Sequence, residues 1–147
     1  MFYDDVKKET PMNEKIISRT AEIMADSDAA CLALIDEEGC PTASMVSNIG
    51  TEGIERAWFS TGLRSNKVRR IKQDARASIC YCDGTNNITL AGTVEVLTDL
   101  ENKKKYWLDI FCPHFPEGPT DPNYCVLKFS TRRVSLWVDG IEAAFTL

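Results

Sequence analysis

In "WFSTGLRSNKVRRI" (58–71), residues of the right type and spacing to hold an anion follow one another closely. Thr61 lies at the end of a run that reads as a strand. Gly62 turns the chain, and Ser65, Asn66 and Lys67 open a run that reads as a helix. A serine just before a helix accepts a hydrogen bond from a first-turn amide and caps it. The same end presents other unpaired amides and the positive end of the helix dipole, which favour an anionic group. Lys67 adds a point charge, and Arg64 and Arg70 add to the field. On these residues alone, ordinary capping and an anion site both stay open.

Other chemistries have little to work with. The single histidine, His114, sits between Pro113 and Phe115 without a G-x-S-x-G elbow, so a Ser-His-Asp hydrolase is not expected. Haem ligation would rest on that residue alone. No P-loop, G-x-G-x-x-G fingerprint or clustered carboxylates are present, and no metal site is expected. The six cysteines, at 31, 40, 80, 82, 112 and 125, lack the spacing of a zinc knuckle or a redox pair. Free, mostly buried thiols are the expectation.

The chain has 147 residues, 44% hydrophobic and 27% charged, which fits one domain with its own core. Its net charge of −5 argues against a nucleic-acid partner. The basic clusters Arg64–Lys72 and Lys103–Lys105 also read as solvated helix faces. No apolar run is long enough to cross a membrane as a helix. The opening "MFYDDVKKET" lacks the order of a secretory signal, so a cytoplasmic location is expected.

The elements that must position the candidate residues alternate quickly. Residues 1–11 read as an arm and 12–26 as an amphipathic helix marked by Met12, Ile16, Ile23 and Met24. Residues 29–35 and 41–48 form a hairpin, and "GTEG" (50–53) turns into a strand over 54–61. A short helix spans 65–74. Strands follow over 76–82 and 88–96, with Gly92 marking a bulge or a close backbone approach. A second helix is expected over 99–111, a proline loop over 112–123, and a last pair of strands over 124–130 and 133–139. Many strands with short helices between them imply a mainly β, antiparallel barrel.

Two strands carry further candidates. Thr42, Ser44, Val46 and Asn48 share one face, which suits either a roomy barrel interior or an exposed edge. Trp137 alternates with Leu136 and Val138 onto the polar side of its strand. There it covers a partner subunit, a loop or a planar ligand, or simply packs.

The order of "WFSTGLRSNKVRRIKQDARASICY", "LAGTVEVL" and "RRVSLWVDG" resembles the pyridoxamine 5'-phosphate oxidase-like FMN-binding split β-barrel superfamily, closest to its general-stress-protein-like branch. The resemblance implies a six-stranded antiparallel split barrel with peripheral helices, FMN as cofactor, and a homodimer with the flavin at its interface. It assigns the phosphate site to Thr61, Ser65, Asn66 and Lys67, and to the strand segment Ser44, Met45, Val46 and Ser47. It puts Asn87 near a ring-contacting glutamine and matches Trp137 to an aromatic that lies near the flavin across the dimer. Asn66 stands in the middle of a Ser-x-Lys pattern that is often Ser-Arg-Lys, and Ser44 replaces an arginine. Where the oxidase proper has a substrate-binding Arg-His-Asp-Arg segment, this chain reads "GIEAAFTL", so oxidation of pyridoxamine phosphate is not expected. The implied activity is a flavin-dependent oxidoreductase of unknown substrate. A non-enzymatic flavin- or ligand-binding protein is the alternative, and a haem-binding barrel a further one.

Overall fold

The computed structural model describes residues 10–147, with side chains from Glu14 onward. Residues 1–9 of the N-terminal arm and the side chain of Met12 therefore lie outside what is described, while Thr10 and Pro11 already belong to the first helix. In chain order the elements are α1 (Thr10–Asp26), β1 (Ala29–Ile35), β2 (Pro41–Glu52), β3 (Arg56–Gly62), α2 (Asn66–Gln73), β4 (Arg76–Asp83), β5 (Asn86–Leu97), α3 (Leu100–Lys105), β6 (Tyr124–Val138) and β7 (Ile141–Thr146).

All strand pairings are antiparallel, in the order β3-β2-β1-β4-β5-β6-β7. An added β3–β6 pairing closes the first six strands into a barrel, as the sequence implied. Alternation drives the closure. Leu32, Leu34, Ile79, Tyr81, Ile88 and Leu90 point inward and are buried. Ile16, Ile23 and Met24 of α1 join the same core.

β6 is the strand that splits. One of its edges pairs with β5 throughout. The other pairs with β3 over Tyr124–Ser130 and then with β7 over Arg133–Val138. The expected pair of strands is therefore one strand of 15 residues. "STRR" (130–133) holds no glycine, proline or asparagine to turn on, and its polarity marks a change of neighbour. Gly92 is the bulge the sequence suggested. The register shifts there, and a Cβ would lie 1.9 Å from the carbonyl oxygen of Ser130.

β7 was not expected. Its signal is Asp139-Gly140, where both residues have positive φ (51° and 78°), the form of a type I′ hairpin turn. Arg19 Nε donates to Asp139 Oδ2 at 2.9 Å and steadies the turn. β2 also runs on through "GTEG" to Glu52, so the turn falls later. Gly50 is small because Tyr106 packs on it: an added Cβ would be 2.9 Å from that ring.

The second expected helix stops after six residues. Tyr106 stacks on Trp58 at 5.2 Å, and Trp107 turns into a cluster with Phe111, Phe115 and Tyr124. That packing draws the chain out of the helix, leaving only a 3-10 turn at Asp109–Phe111. Within the expected span, the apolar Leu100 and Leu108 are exposed, while Lys103 is buried. The proline loop likewise contains one 3-10 turn, Gly118–Thr120.

Candidate functional site

The β3–α2 junction forms a compact turn. The Ser65 hydroxyl accepts from the Val68 amide at 3.4 Å and from Thr61 Oγ1 at 3.3 Å. Ser65 is thus the N-cap the sequence suggested. The first-turn amides of Asn66 and Lys67 have no intrahelical acceptor to use. Val68 and Ile71 anchor the other face of α2 in the core, so the helix end is held at a fixed place.

Charge at the junction is divided. Arg69 Nη2 lies 2.8 Å and Arg70 Nε 3.5 Å from Glu37 Oε1. The Arg69 hydrogen bond holds the Glu37 carboxyl below its ordinary range. Arg64 and Lys67 form no ion pair among the described residues. Two of the five basic residues are therefore tied to Glu37, while Arg64 and Lys67 leave positive charge at the turn. Neighbouring Asp36 is also held low, by the amides of Cys40 and Glu38, which fixes the β1–β2 turn that carries Glu37.

The strand segment Ser44–Ser47 flanks the junction. β2 pairs with β3 from Ser47 to Glu52, starting at Ser47↔Ser60. Continued by one step, that register would put Val46 opposite Thr61. The strands part there instead, leaving a seam between β2 and the β3–α2 turn. Ser44 shares Val46's face yet is exposed beside this opening, whereas Val46 turns its side chain into the core. Asn48 N donates to Asp28 O, and Asp36 N to Cys40 O. The antiparallel alternation then turns the amide and carbonyl of Met45 toward the open edge. The edge reading of β2 holds for this half of the strand.

Asn87 and Trp137 stand opposite each other on β5 and β6. Trp137 lies on the outer face, 46% exposed between buried Leu136 and Val138. Through β1 and β4, β5 lies three strands from β2, about 14 Å along the curved sheet. Through β3, β6 lies two strands from β2, but its pairing with β3 ends at Ser130, seven residues short of Trp137. One chain thus forms two patches: the seam, and the Asn87–Trp137 pair. Cys80 Sγ lies 3.5 Å from Asn87 Oδ1.

A separate cleft of about 510 Å³ opens on the outer face between Arg76, Ser78, Ala91 and Arg133, and no sequence-predicted site residue lines it. Among the described residues, no three His, Cys, Asp or Glu side chains group as metal ligands. The thiols correct one expectation, because only Cys125 is buried. Cys31 and Cys80 are half-buried, and Cys40, Cys82 and Cys112 are exposed, since they lie at turns or on the outer sheet face.

Sequence reasoning missed Asn123. It reaches the junction from the proline loop, where its Oδ1 accepts the Arg64 amide at 3.0 Å and its carbonyl accepts Leu63 N–H. The available signal was "DPN" (121–123), an Asp-x-Asn turn, in which Asp121 Oδ1 accepts the Asn123 amide at 2.9 Å.

The fold has solved counterparts. A protein related to general stress protein 26 from Clostridium acetobutylicum is 24% identical, over 91% of this chain and 96% of that one, with a TM-score of 0.82. A haem-binding protein from Mycobacterium smegmatis is 21% identical over 88% of this chain and 56% of that one, at 0.67. A pyridoxamine 5'-phosphate oxidase-related, FMN-binding protein from Nostoc punctiforme is 18% identical over 88% and 84%, at 0.60. No curated protein matches the sequence. The family model described as pyridoxamine 5'-phosphate oxidase like matches residues 15–146, nearly the whole barrel with its seam, and the chain belongs to that family.

Proposed function

We propose that this protein is a homodimeric FMN-binding barrel that acts as a flavin-dependent oxidoreductase. The observation that carries the reading is the β3–α2 junction. A capped helix end with unclaimed amides, the Thr61 and Ser65 hydroxyls, and the charges of Arg64 and Lys67, which form no ion pair among the described residues, lie beside an opened strand edge. That donor set fits a phosphate monoester better than a neutral group. The FMN-binding relative from Nostoc punctiforme supports the same ligand.

On this reading Thr61, Ser65, Asn66 and Lys67 hold the phosphate. The main chain of Met45 faces the ring system along the seam, flanked by Ser44 and Ser47. FMN, when bound, would supply the electron transfer. The protein's part is to orient the ring and exclude water from one side of it.

The outer sheet face supports dimerisation. Cys31, Ala33, Ser78, Cys80, Thr89 and Ala91 are small and uncharged, and they lie between exposed Met45 and Trp137. A second copy on this face would bring Asn87 and Trp137 of the partner subunit toward the seam. The exposed thiols suit a reducing compartment, in keeping with a cytoplasmic location. No helix among the described residues is long and apolar enough to cross a membrane.

Flavin absorbance and fluorescence titrations test the ligand. FMN is expected to bind at micromolar concentration and Lys67→Ala to weaken it about tenfold, the scale of one charged hydrogen bond. No binding at tens of micromolar overturns the reading, and a monomer in sizing or ultracentrifugation overturns its dimer. Ser44 in place of an arginine favours a second reading, a flavin- or ligand-binding protein without turnover; bound FMN that no nicotinamide donor reduces would support it. The haem-binding relative motivates a haem titration with a His114→Ala control.

A further inference from the structure

The residue missed in the sequence sits on an unusual support. Gly62, Leu63 and Arg64 carry the chain from β3 into the Ser65 cap, and Asn123 binds this segment on three sides. Its Oδ1 accepts Arg64 N–H at 3.0 Å, and its carbonyl oxygen accepts Leu63 N–H. Its Nδ2 lies 3.1 Å from the place a Cβ on Gly62 would take, so a glycine there lets the amide lie against the strand.

Asn123 is itself fixed from behind. Its own amide donates to Asp121 Oδ1 at 2.9 Å, while Asp121 Oδ2 accepts the Glu117 amide at 3.2 Å. The Asp121 carbonyl accepts Lys103 Nζ at 2.9 Å and the Tyr124 amide at 3.1 Å. Asp121 and Lys103 are 7% and 8% exposed, the two buried charged side chains among the described residues. Burying charge is costly unless each polar atom is satisfied. Here three oxygens of Asp121 are satisfied by main chain or by Lys103, which makes a stiff loop out of a proline-rich segment. The Lys103 ammonium also lies over the Tyr124 ring, 5.9 Å from its centroid. The brace therefore runs from α3 through Asp121 and Asn123 to the start of α2, behind the junction rather than across the seam.

We infer that Asn123 is a positioning residue for the phosphate site. It sets the turn that aims the Ser65 hydroxyl and the amides of Asn66 and Lys67, and thereby sets the preference for a phosphorylated flavin over an unphosphorylated one. This rests on the FMN reading above. Hydrogen bonds weaken steeply with angle and distance, so a loosened turn loses its hold on a phosphate before it affects a ring bound elsewhere on the seam.

The test compares affinities for FMN and riboflavin in wild type, Lys67→Ala and Asn123→Ala, together with hydrogen exchange at the Arg64 amide in the flavin-free protein. Asn123→Ala is expected to weaken FMN about tenfold, to leave riboflavin within about twofold, and to speed Arg64 exchange, the scale being one lost hydrogen bond at the turn. If Asn123→Ala does not fold, Gly62→Ala presses on the same contact from the strand side and is expected to show the same selective loss. Equal losses for both flavins, or unchanged Arg64 exchange, overturn the inference. A wild type that binds FMN and loses its preference in Lys67→Ala but keeps it in Asn123→Ala overturns the inference alone. A wild type that binds neither flavin overturns the FMN reading and the inference with it.

Discussion

Tyr124 buries its whole ring but leaves its hydroxyl without a hydrogen-bond partner. Burial pushes that hydroxyl's pKa up to about 12, so it stays neutral at any physiological pH. An unsatisfied buried polar atom costs on the order of 1–3 kcal/mol. Tyr124→Phe removes the orphan and keeps the ring contacts with Trp107 and Phe115. It is expected to leave stability unchanged or raise it by about 1 kcal/mol, read as a shift in the urea midpoint; a clear loss would mean that the hydroxyl has a role. Cys125 behaves in the opposite way to the other thiols. It is buried, its Sγ lies 3.5 Å from the Thr61 carbonyl, and burial pushes its pKa up to about 11. At pH 8 a thiol reagent is expected to modify Cys40, Cys82 and Cys112 while Cys125 waits for urea unfolding. Mass mapping of the labelled peptides checks this, and native-state labelling of Cys125 at a matching rate would contradict it. At this scale the sequence could show that Thr61, Ser65, Asn66 and Lys67 sit at one junction, because strand and helix signals meet there within a few residues. It could not show Asn123, whose contact with Arg64 spans 59 positions.

Among the elements, the short-range signals were legible and the long-range ones were not. The β1–β2 hairpin, the α2 cap and the Gly92 bulge each follow from local residue types. Asp139-Gly140 is an equally local signal, but the apolar run after it is short. The over-long helix after Asp99 failed for a different reason: Tyr106 and Trp107 gain more by packing on Trp58 and Tyr124 than by continuing a helix. β6 could not be read as one strand from its own residues, since its two halves are matched to different neighbours. The bulge gives the sharpest expectation at this scale. Gly92→Ala would place a methyl 1.9 Å from a main-chain oxygen that no side-chain movement can clear. A loss of about 3 kcal/mol or more, or failure to fold, is expected. Thermal unfolding checks it, and a wild-type midpoint would show that the register can relax.

For the molecule as a whole, pH acts through carboxylates at turns. Arg76 holds the Asp74 pKa down to about 2, and Asp36 and Glu37 are held low by main-chain amides and Arg69. A carboxylate whose folded value lies below its unfolded one stabilises the fold above the unfolded value, near 4, and loses that contribution as pH falls through the folded one. The urea midpoint is therefore expected to hold from pH 7 to 5 and to fall between about pH 4 and 2. Glu37 is exposed and Asp36 and Asp74 are partly exposed, so the decline should be shallow. A midpoint that rises on acidification would contradict it. The split in β6 has a consequence for how the chain reaches this state. The barrel cannot shut until Tyr124–Ser130 arrives between β3 and β5, because that segment supplies both closing edges. During synthesis from the N-terminus, β1 to β5 can form only an open, curved sheet with β3 and β5 as raw borders. A ribosome that stalls after Leu97 would release an adhesive intermediate, whereas one that passes Ser130 releases a sealed one.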